Sequence, residues 1–130
     1  MKAVIATVLA AASISFTAAT SAHHSFAAQY DINQPVTLAG KVTAVEWTNP
    51  HARFYIDVTD ADGVTHNWNI ELGSPNVLKR MGWSRNDLQA GDEVTVNGNK
   101  ARSGADMANA ESVVLKNGKQ VYGRNAADNF

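Results

Sequence analysis

The chain has 130 residues, with 11 basic and 12 acidic side chains and a formal net charge of −1. This length suits one domain of ordinary size. The near-neutral charge, with no run of basic residues, argues against a polyanion such as nucleic acid as a partner. The sequence contains no cysteine, which excludes disulfides and thiolate chemistry.

The first 22 residues have the pattern of a secretory signal peptide. Lys2 is followed by an apolar, alanine-rich stretch over residues 3–19, and small residues precede His23, which predicts cleavage after Ala22. A membrane anchor is the alternative, but the apolar run is shorter than the roughly 20 residues of a spanning helix. We therefore expect a periplasmic or secreted bacterial protein with no stable membrane anchor after cleavage, and a mature chain of 130 − 22 = 108 residues.

The mature chain divides into an N-terminal arm, residues 23–35, and a β domain, residues 36–123. From Val36 onward, short runs alternate apolar and polar residues between turn-forming residues, as half-buried strands do. In the first run the apolar residues shift from even to odd positions, which predicts a β-bulge between Gly40 and Ala44. Residues 124–130 are expected to be a frayed tail.

The second and third strands are predicted to form a hairpin around Asp60-Ala61-Asp62-Gly63, a sequence typical of a type I turn with a G1 bulge. Pairing Thr59 with Thr65 sets the register, and it places apolar pairs on the inner face and Arg53 opposite Glu71 on the outer face. A shift of one residue would bury Glu71 and expose Trp68. We therefore predict the first register.

The remaining elements complete an OB-like order. Ser74 and Pro75 are typical of a helix start, and the apolar residues that follow at helical spacing predict a short helix that ends near Gly82. A fourth strand begins at Glu93, a fifth covers residues 108–115, and an edge strand includes residues 121 and 122. The sequence thus predicts a mainly β, five- to six-stranded OB-like barrel with one short helix between strands 3 and 4. An open sandwich is the alternative.

Several short segments together resemble a family of small exported bacterial proteins that is classified as a domain of unknown function. They are HHSF at residues 23–26, WTNPH within 45–51, ELGSP at 71–75, GW at 82–83 and GD at 91–92. The resemblance covers nearly the whole mature chain and implies no particular activity. One departure is Arg53, where the family pattern has an apolar or aromatic residue, and this affects the neighbouring surface.

The strongest candidate for function is a transition-metal site at the processed N-terminus. Cleavage after Ala22 gives His23 a free amine beside its imidazole, with His24 next to it, and His51 is the best additional imidazole. Neutral nitrogen donors suit Cu(II), which also stands highest in the affinity order for divalent metals. Cleavage one residue earlier would instead produce a terminal Ala-His-His chelate that needs no other residue, so the two alternatives differ in their requirement for His51.

Other interpretations of these histidines stay open. His23 and His24 also fit a polar start to an arm whose Phe26 and Tyr30 pack on the barrel. His51 also fits a hydrogen bond to a loop carbonyl. His66 is expected to point inward near a barrel end, as a satisfied or partly exposed core histidine.

The alternative to metal binding is a structural or protein-interaction domain of the cell envelope. Its expected surface contains Trp47, Asn49, Arg53 and Glu71, although a cross-strand ion pair is the simpler account of Arg53 and Glu71. Trp68 and Trp83 are expected in the core. Common enzyme signatures are missing, so we predict a binding protein without catalytic activity, whose partner is a metal-handling or envelope protein. An oxidative copper enzyme is the least favoured alternative.

Overall fold

A computed structural model describes residues 23–123, apart from the side chains of residues 23–25. The expected signal peptide, residues 1–22, and the expected frayed tail, residues 124–130, lie outside the described residues. The elements are helix α1 (His23–Gln29), strands β1 (Tyr30–Glu46), β2 (Arg53–Thr59) and β3 (Thr65–Glu71), helix α2 (Pro75–Arg80), and strands β4 (Glu93–Ala101), β5 (Met107–Leu115) and β6 (Gln120–Gly123).

Five of the strands close into a ring. Strand β1 pairs with both β2 and β4, β4 pairs with β5, and a short parallel pairing of residues 69–71 with 107–109 joins β3 to β5. Strand β6 extends the sheet beyond β5. This closed order, with a helix between β3 and β4, is that of an OB-type barrel, as the sequence predicts.

Strand β1 is long and bent, and it pairs with a different strand in each half. Its first half pairs with β4, its second half pairs with β2, and the register shifts between Val42 and Ala44 where the bulge is predicted. Gly40 lies at the bend, and a Cβ atom there would stand only 2.4 Å from the carbonyl oxygen of Asp57. The close approach of the two backbones thus requires glycine.

The β2–β3 hairpin has the predicted register at every pair from Thr59–Thr65 to Arg53–Glu71. Its turn contains Gly63 at φ +80°, as a G1 bulge requires. The inner face supplies much of the core, since Phe54, Ile56 and Ile70 have no exposed surface. The apolar pattern therefore sets the register.

Helix α2 begins as predicted, because the Ser74 hydroxyl accepts a hydrogen bond from the Val77 N–H at 3.3 Å. Leu78 is fully buried, and it belongs with Trp83 to the hydrophobic core. Met81 lies just beyond the end of the helix and is exposed, although the helical spacing predicts it on the apolar face.

The N-terminal arm differs from the expectation. Strand β1 begins at Tyr30, so residues 30–35 belong to the sheet, and Tyr30 pairs with Ala101. The register is irregular between Tyr30 and Pro35. Tyr30 is 1% exposed, which makes this aromatic side chain part of the folded barrel and places it near the ends of β3 and β4.

Candidate functional site

A buried carboxylate lies at the end of β3. The Glu71 side chain is 5% exposed, and the described residues provide donors to both of its oxygen atoms. The Tyr30 hydroxyl donates to Oε2 at 2.9 Å, the Arg53 guanidinium donates to the same oxygen, and His51 Nδ1 lies 3.1 Å from Oε1. A buried charge requires such partners, because removing it from water is costly unless it is paired and hydrogen-bonded.

The local fold explains why these four side chains meet. Hairpin register places Arg53 directly opposite Glu71. The loop before β2 is held by Ala52, whose N–H donates to the carbonyl of Gly73 and whose carbonyl accepts from the N–H of Leu72, both at 2.9 Å. Because Ala52 is fixed in this way, the preceding His51 lies beside the carboxylate.

Arg53 is also oriented by a second contact. Its Nη1 donates to the side-chain oxygen of Asn69 at 3.2 Å, while its Nη2 contacts Glu71. The Arg53 side chain is 26% exposed, so the guanidinium that pairs with Glu71 is itself partly buried. The predicted cross-strand ion pair is confirmed.

The burial of Glu71 corrects one expectation. The register places Glu71 on the outer face, where it is expected to be exposed, yet the residue is 4% exposed. The Tyr30 hydroxyl contacts it, and Tyr30, which is expected in an arm that packs on the barrel, is instead the first residue of strand β1. In the sequence, the only indication of this contact is that two aromatic residues, Phe26 and Tyr30, precede the first predicted strand. In the structure their rings lie 5.4 Å apart.

The network also affects the Tyr30 hydroxyl. Burial, together with the negative charge of Glu71, raises the pKa of Tyr30 far above its usual value. The hydroxyl therefore stays protonated, and remains a hydrogen-bond donor to Glu71, into the alkaline range where an ordinary tyrosine loses its proton.

One ring nitrogen of His51 contacts the Glu71 carboxylate, and the rest of the ring is partly exposed. Its side chain is 43% exposed, whereas that of Glu71 is 5% exposed. With Nδ1 donating to Glu71, the neutral ring presents Nε2 as its lone-pair donor. A carboxylate that holds the second nitrogen of a histidine is the usual outer-shell arrangement at metal sites.

The other predicted site residues do not all lie beside Glu71 and His51. The side chains of His23 and His24 lie outside the described residues, although helix α1 begins at His23. Asn49 is exposed, and Trp47 is half-buried with its ring 5.8 Å from that of Trp83 in an edge-to-face contact. Trp47 therefore packs partly against the core.

His66 is half-buried near the end of the β2–β3 hairpin, with its side chain 41% exposed, as the sequence analysis expects of a partly exposed histidine near a barrel end. Its ring stands between two carboxylates, with Nε2 3.3 Å from Asp60 and Nδ1 3.0 Å from Asp106. Both ring nitrogens are thus occupied on opposite edges. Within residues 23–123, no group of three or more histidine, aspartate or glutamate side chains is arranged to hold a metal ion.

The closed strand order and the helix between β3 and β4 define an OB-type barrel, with a histidine–carboxylate pair on its rim. The sequence profile of a family of unknown function, DUF6152, matches residues 10–110. The chain belongs to this family. No curated protein matches the sequence significantly.

Solved structures with the same fold are distant. The mitochondrial single-stranded DNA-binding protein Rim1 of S. cerevisiae is 14% identical with a TM-score of 0.49, and the match covers 64% of this chain and 93% of Rim1. The N-terminal domain of PriB from Thermoanaerobacter tencongensis is 22% identical with a TM-score of 0.46, covering 64% of this chain and 96% of that domain. At this level the likeness concerns the fold alone.

The described part of the chain, residues 23–123, includes no helix with the length and apolar character needed to cross a bilayer.

Proposed function

We propose that this protein is an exported bacterial binding module that captures Cu(II) at the rim of the barrel. The proposed ligands are Nε2 of His51 and the amine and imidazole of a processed N-terminal His23, with His24 as a further donor. Capture followed by delivery or buffering would need no bond chemistry, so the proposal includes no catalytic activity. The periplasm or the extracellular medium is the proposed location.

The observation that supports the proposal is the contact of His51 Nδ1 with the buried Glu71. A histidine that only satisfied a loop carbonyl would not need a buried carboxylate that two further donors stabilise. Here the carboxylate fixes the tautomer and the ring orientation, which is the role that outer-shell groups have at metal centres. Glu71 itself has both oxygens committed to protein donors, so it is proposed as an orienting group and not as a ligand.

The nature of the donors favours copper among the divalent metals. An amine and neutral imidazoles are nitrogen ligands of intermediate softness, and the protein has no thiolate to offer. The affinity order of first-row metals rises to Cu(II) for such sites. Zn(II) or Ni(II) would bind the same donors more weakly.

The test is a copper titration of mature protein whose N-terminus has been established by intact mass. Cu(II) is supplied in competition with a weak chelator, and wild type is compared with His51→Ala and with His66→Ala. His66 is a matched control because its side chain is 41% exposed, close to the 43% of His51. We expect His51→Ala to lose at least tenfold in affinity, whereas His66→Ala stays within about twofold of wild type.

Two results would contradict the proposal. Equal affinity of wild type and His51→Ala would show a terminal chelate that does not use His51. Failure of the mature wild-type protein to take Cu(II) from the chelator would refute copper binding altogether.

A second candidate function is a protein-interaction domain of the envelope. One observation favours it: Trp47, Lys79 and Arg85 border an open groove of about 400 Å³ beside helix α2. Two cations next to an aromatic side chain suit an acidic protein segment. Cross-linking in the producing cells checks this, because Trp47→Ala should lose a partner that both wild type and His51→Ala retain. Equal cross-linking of Trp47→Ala would count against the groove.

We further propose that nucleic acid is not a ligand. The outer faces of β2 and β3 carry a single arginine, Arg53, and it is committed to Glu71 and Asn69. A phosphate backbone requires several available cations along its path. Titration of mature protein with single-stranded DNA at low salt should show no saturable binding.

A further inference from the structure

Arg102, the first residue after β4, holds the N-terminal segment against the barrel. Its Nε donates to the carbonyl of Ala27 at 2.7 Å, and its backbone N–H donates to the carbonyl of Gln29 at 2.9 Å. Its guanidinium also lies 3.3 Å from the Asp31 carboxylate. One arginine thus contacts the chain on both sides of Tyr30, at the junction between helix α1 and strand β1.

The segment that Arg102 holds is connected to the His51 site. Tyr30 lies in the middle of this segment and is 1% exposed. Its hydroxyl donates to Oε2 of Glu71, and Oε1 of the same carboxylate is 3.1 Å from His51 Nδ1. A continuous series of polar contacts and buried packing therefore runs from Arg102 through Tyr30 and Glu71 to His51.

We propose that Arg102 is a positioning residue that couples the docking of residues 26–31 to the presentation of His51. This inference rests on the proposed copper site and adds its regulation. When the segment is docked, Tyr30 stabilises the carboxylate that orients His51, and helix α1 is held beside the barrel. When the segment is released, Glu71 loses a donor and the His51 ring loses its fixed orientation.

The coupling must be reciprocal. If docking improves Cu(II) affinity by a given factor, bound Cu(II) must favour docking by the same factor. If Arg102 only stabilised the start of β1, docking of the segment would not change the Cu(II) affinity, and bound Cu(II) would not change docking. This reciprocity separates a positioning role from a merely structural one.

The experiment uses the mature full chain and compares wild type, Arg102→Ala and Arg80→Ala. Arg80 is the control because it is also an exposed arginine at the end of a secondary-structure element, the last residue of helix α2. Amide hydrogen exchange of residues 27–31, measured by mass spectrometry, reports docking. Competition with a weak chelator reports Cu(II) affinity.

We expect exchange at residues 27–31 to be faster in Arg102→Ala and unchanged in Arg80→Ala. If the docked fraction falls to about one tenth, the apparent Cu(II) affinity of Arg102→Ala falls roughly tenfold. Cu(II) should slow the exchange of this segment in wild type. Faster exchange in Arg102→Ala with an unchanged affinity would overturn the coupling.

A metal-free measurement keeps this inference distinguishable from the proposed function. If the mature wild-type protein binds no Cu(II), the copper site is refuted. The coupling is then tested by the ring ¹⁵N chemical shifts of His51, which report its tautomer. Arg102→Ala should shift them toward a mixture of tautomers, because His51 no longer has a fixed partner. Tyr30→Phe should do the same without accelerating exchange at residues 27–29. Unchanged His51 signals in both variants would overturn the coupling.

Discussion

The buried carboxylate gives the sharpest test of how the rim is held together. Glu71→Gln keeps the size and shape of the side chain but removes its charge, so the change acts on its contacts with Arg53, Tyr30 and His51. A hydrogen bond to a charged group contributes about 1.5–3 kcal/mol to stability. A broken buried ion pair costs about 3–5 kcal/mol.

These free-energy costs are upper values for Glu71, because two of its partners are partly exposed to solvent. Arg53 is 26% exposed and His51 is 43% exposed, so water can solvate both groups once the carboxylate is gone. We therefore expect Glu71→Gln to lower the free energy of unfolding by about 2 kcal/mol, toward the lower end of these ranges. The protein should still fold, since a domain of this size has a stability of about 5–15 kcal/mol.

The assay is urea unfolding at pH 7, followed by tryptophan fluorescence. With a slope of roughly 1–2 kcal/mol per molar urea, the midpoint should fall by about 1–2 M. Glu46→Gln is the matched control, because Glu46 is an exposed carboxylate that accepts a hydrogen bond from the Tyr55 hydroxyl at 3.3 Å. Its midpoint should stay near that of wild type. A Glu71→Gln midpoint equal to that of Glu46→Gln would refute the reasoning.

Two further predictions concern Tyr30 and the bend in β1. Because the folded-state pKa of Tyr30 is raised, the folded protein retains a proton that the unfolded chain loses near pH 10, so stability should fall as the pH rises above 10. Urea midpoints at pH 7 and pH 11 should therefore differ more in wild type than in Tyr30→Phe, and equal differences would contradict this. Gly40→Ala should destabilise by about 2 kcal/mol or more, because its Cβ would stand 2.4 Å from a backbone oxygen. Thermal unfolding measures this loss, and Gly73→Ala is the control, since its Cβ would meet only side-chain atoms at 3.4 Å or beyond. An equally large loss in Gly73→Ala would refute the steric explanation.

Much of the fold is local in origin, which is why sequence patterns predict it. The β2–β3 register follows from alternating apolar residues and one turn, and the start of α2 follows from the Ser74 cap. The bulge near Val42 is visible as a change in the phase of that alternation. Each of these features depends on residues close together in the chain.

The candidate site is less local, and its prediction is correspondingly incomplete. The pairing of Arg53 with Glu71 is confirmed because the hairpin register determines it. The contact of His51 with Glu71 was not predicted, since it depends on how the loop before β2 is held by Ala52 and Gly73. Copper binding by His23, His24 and His51 stays a prediction.

The sequence by itself determined the mainly β class, the order of strands and helix along the chain, and the hairpin register, because apolar alternation and turn residues are local features. Only the tertiary structure decided that the sheet closes into a ring, through the parallel pairing of β3 with β5. It also decided that Glu71 is buried. Tyr30 reaches it from 41 residues away in the chain, through the closure of the ring. No local pattern encodes such a contact, because it depends on where two distant segments meet once the barrel has closed.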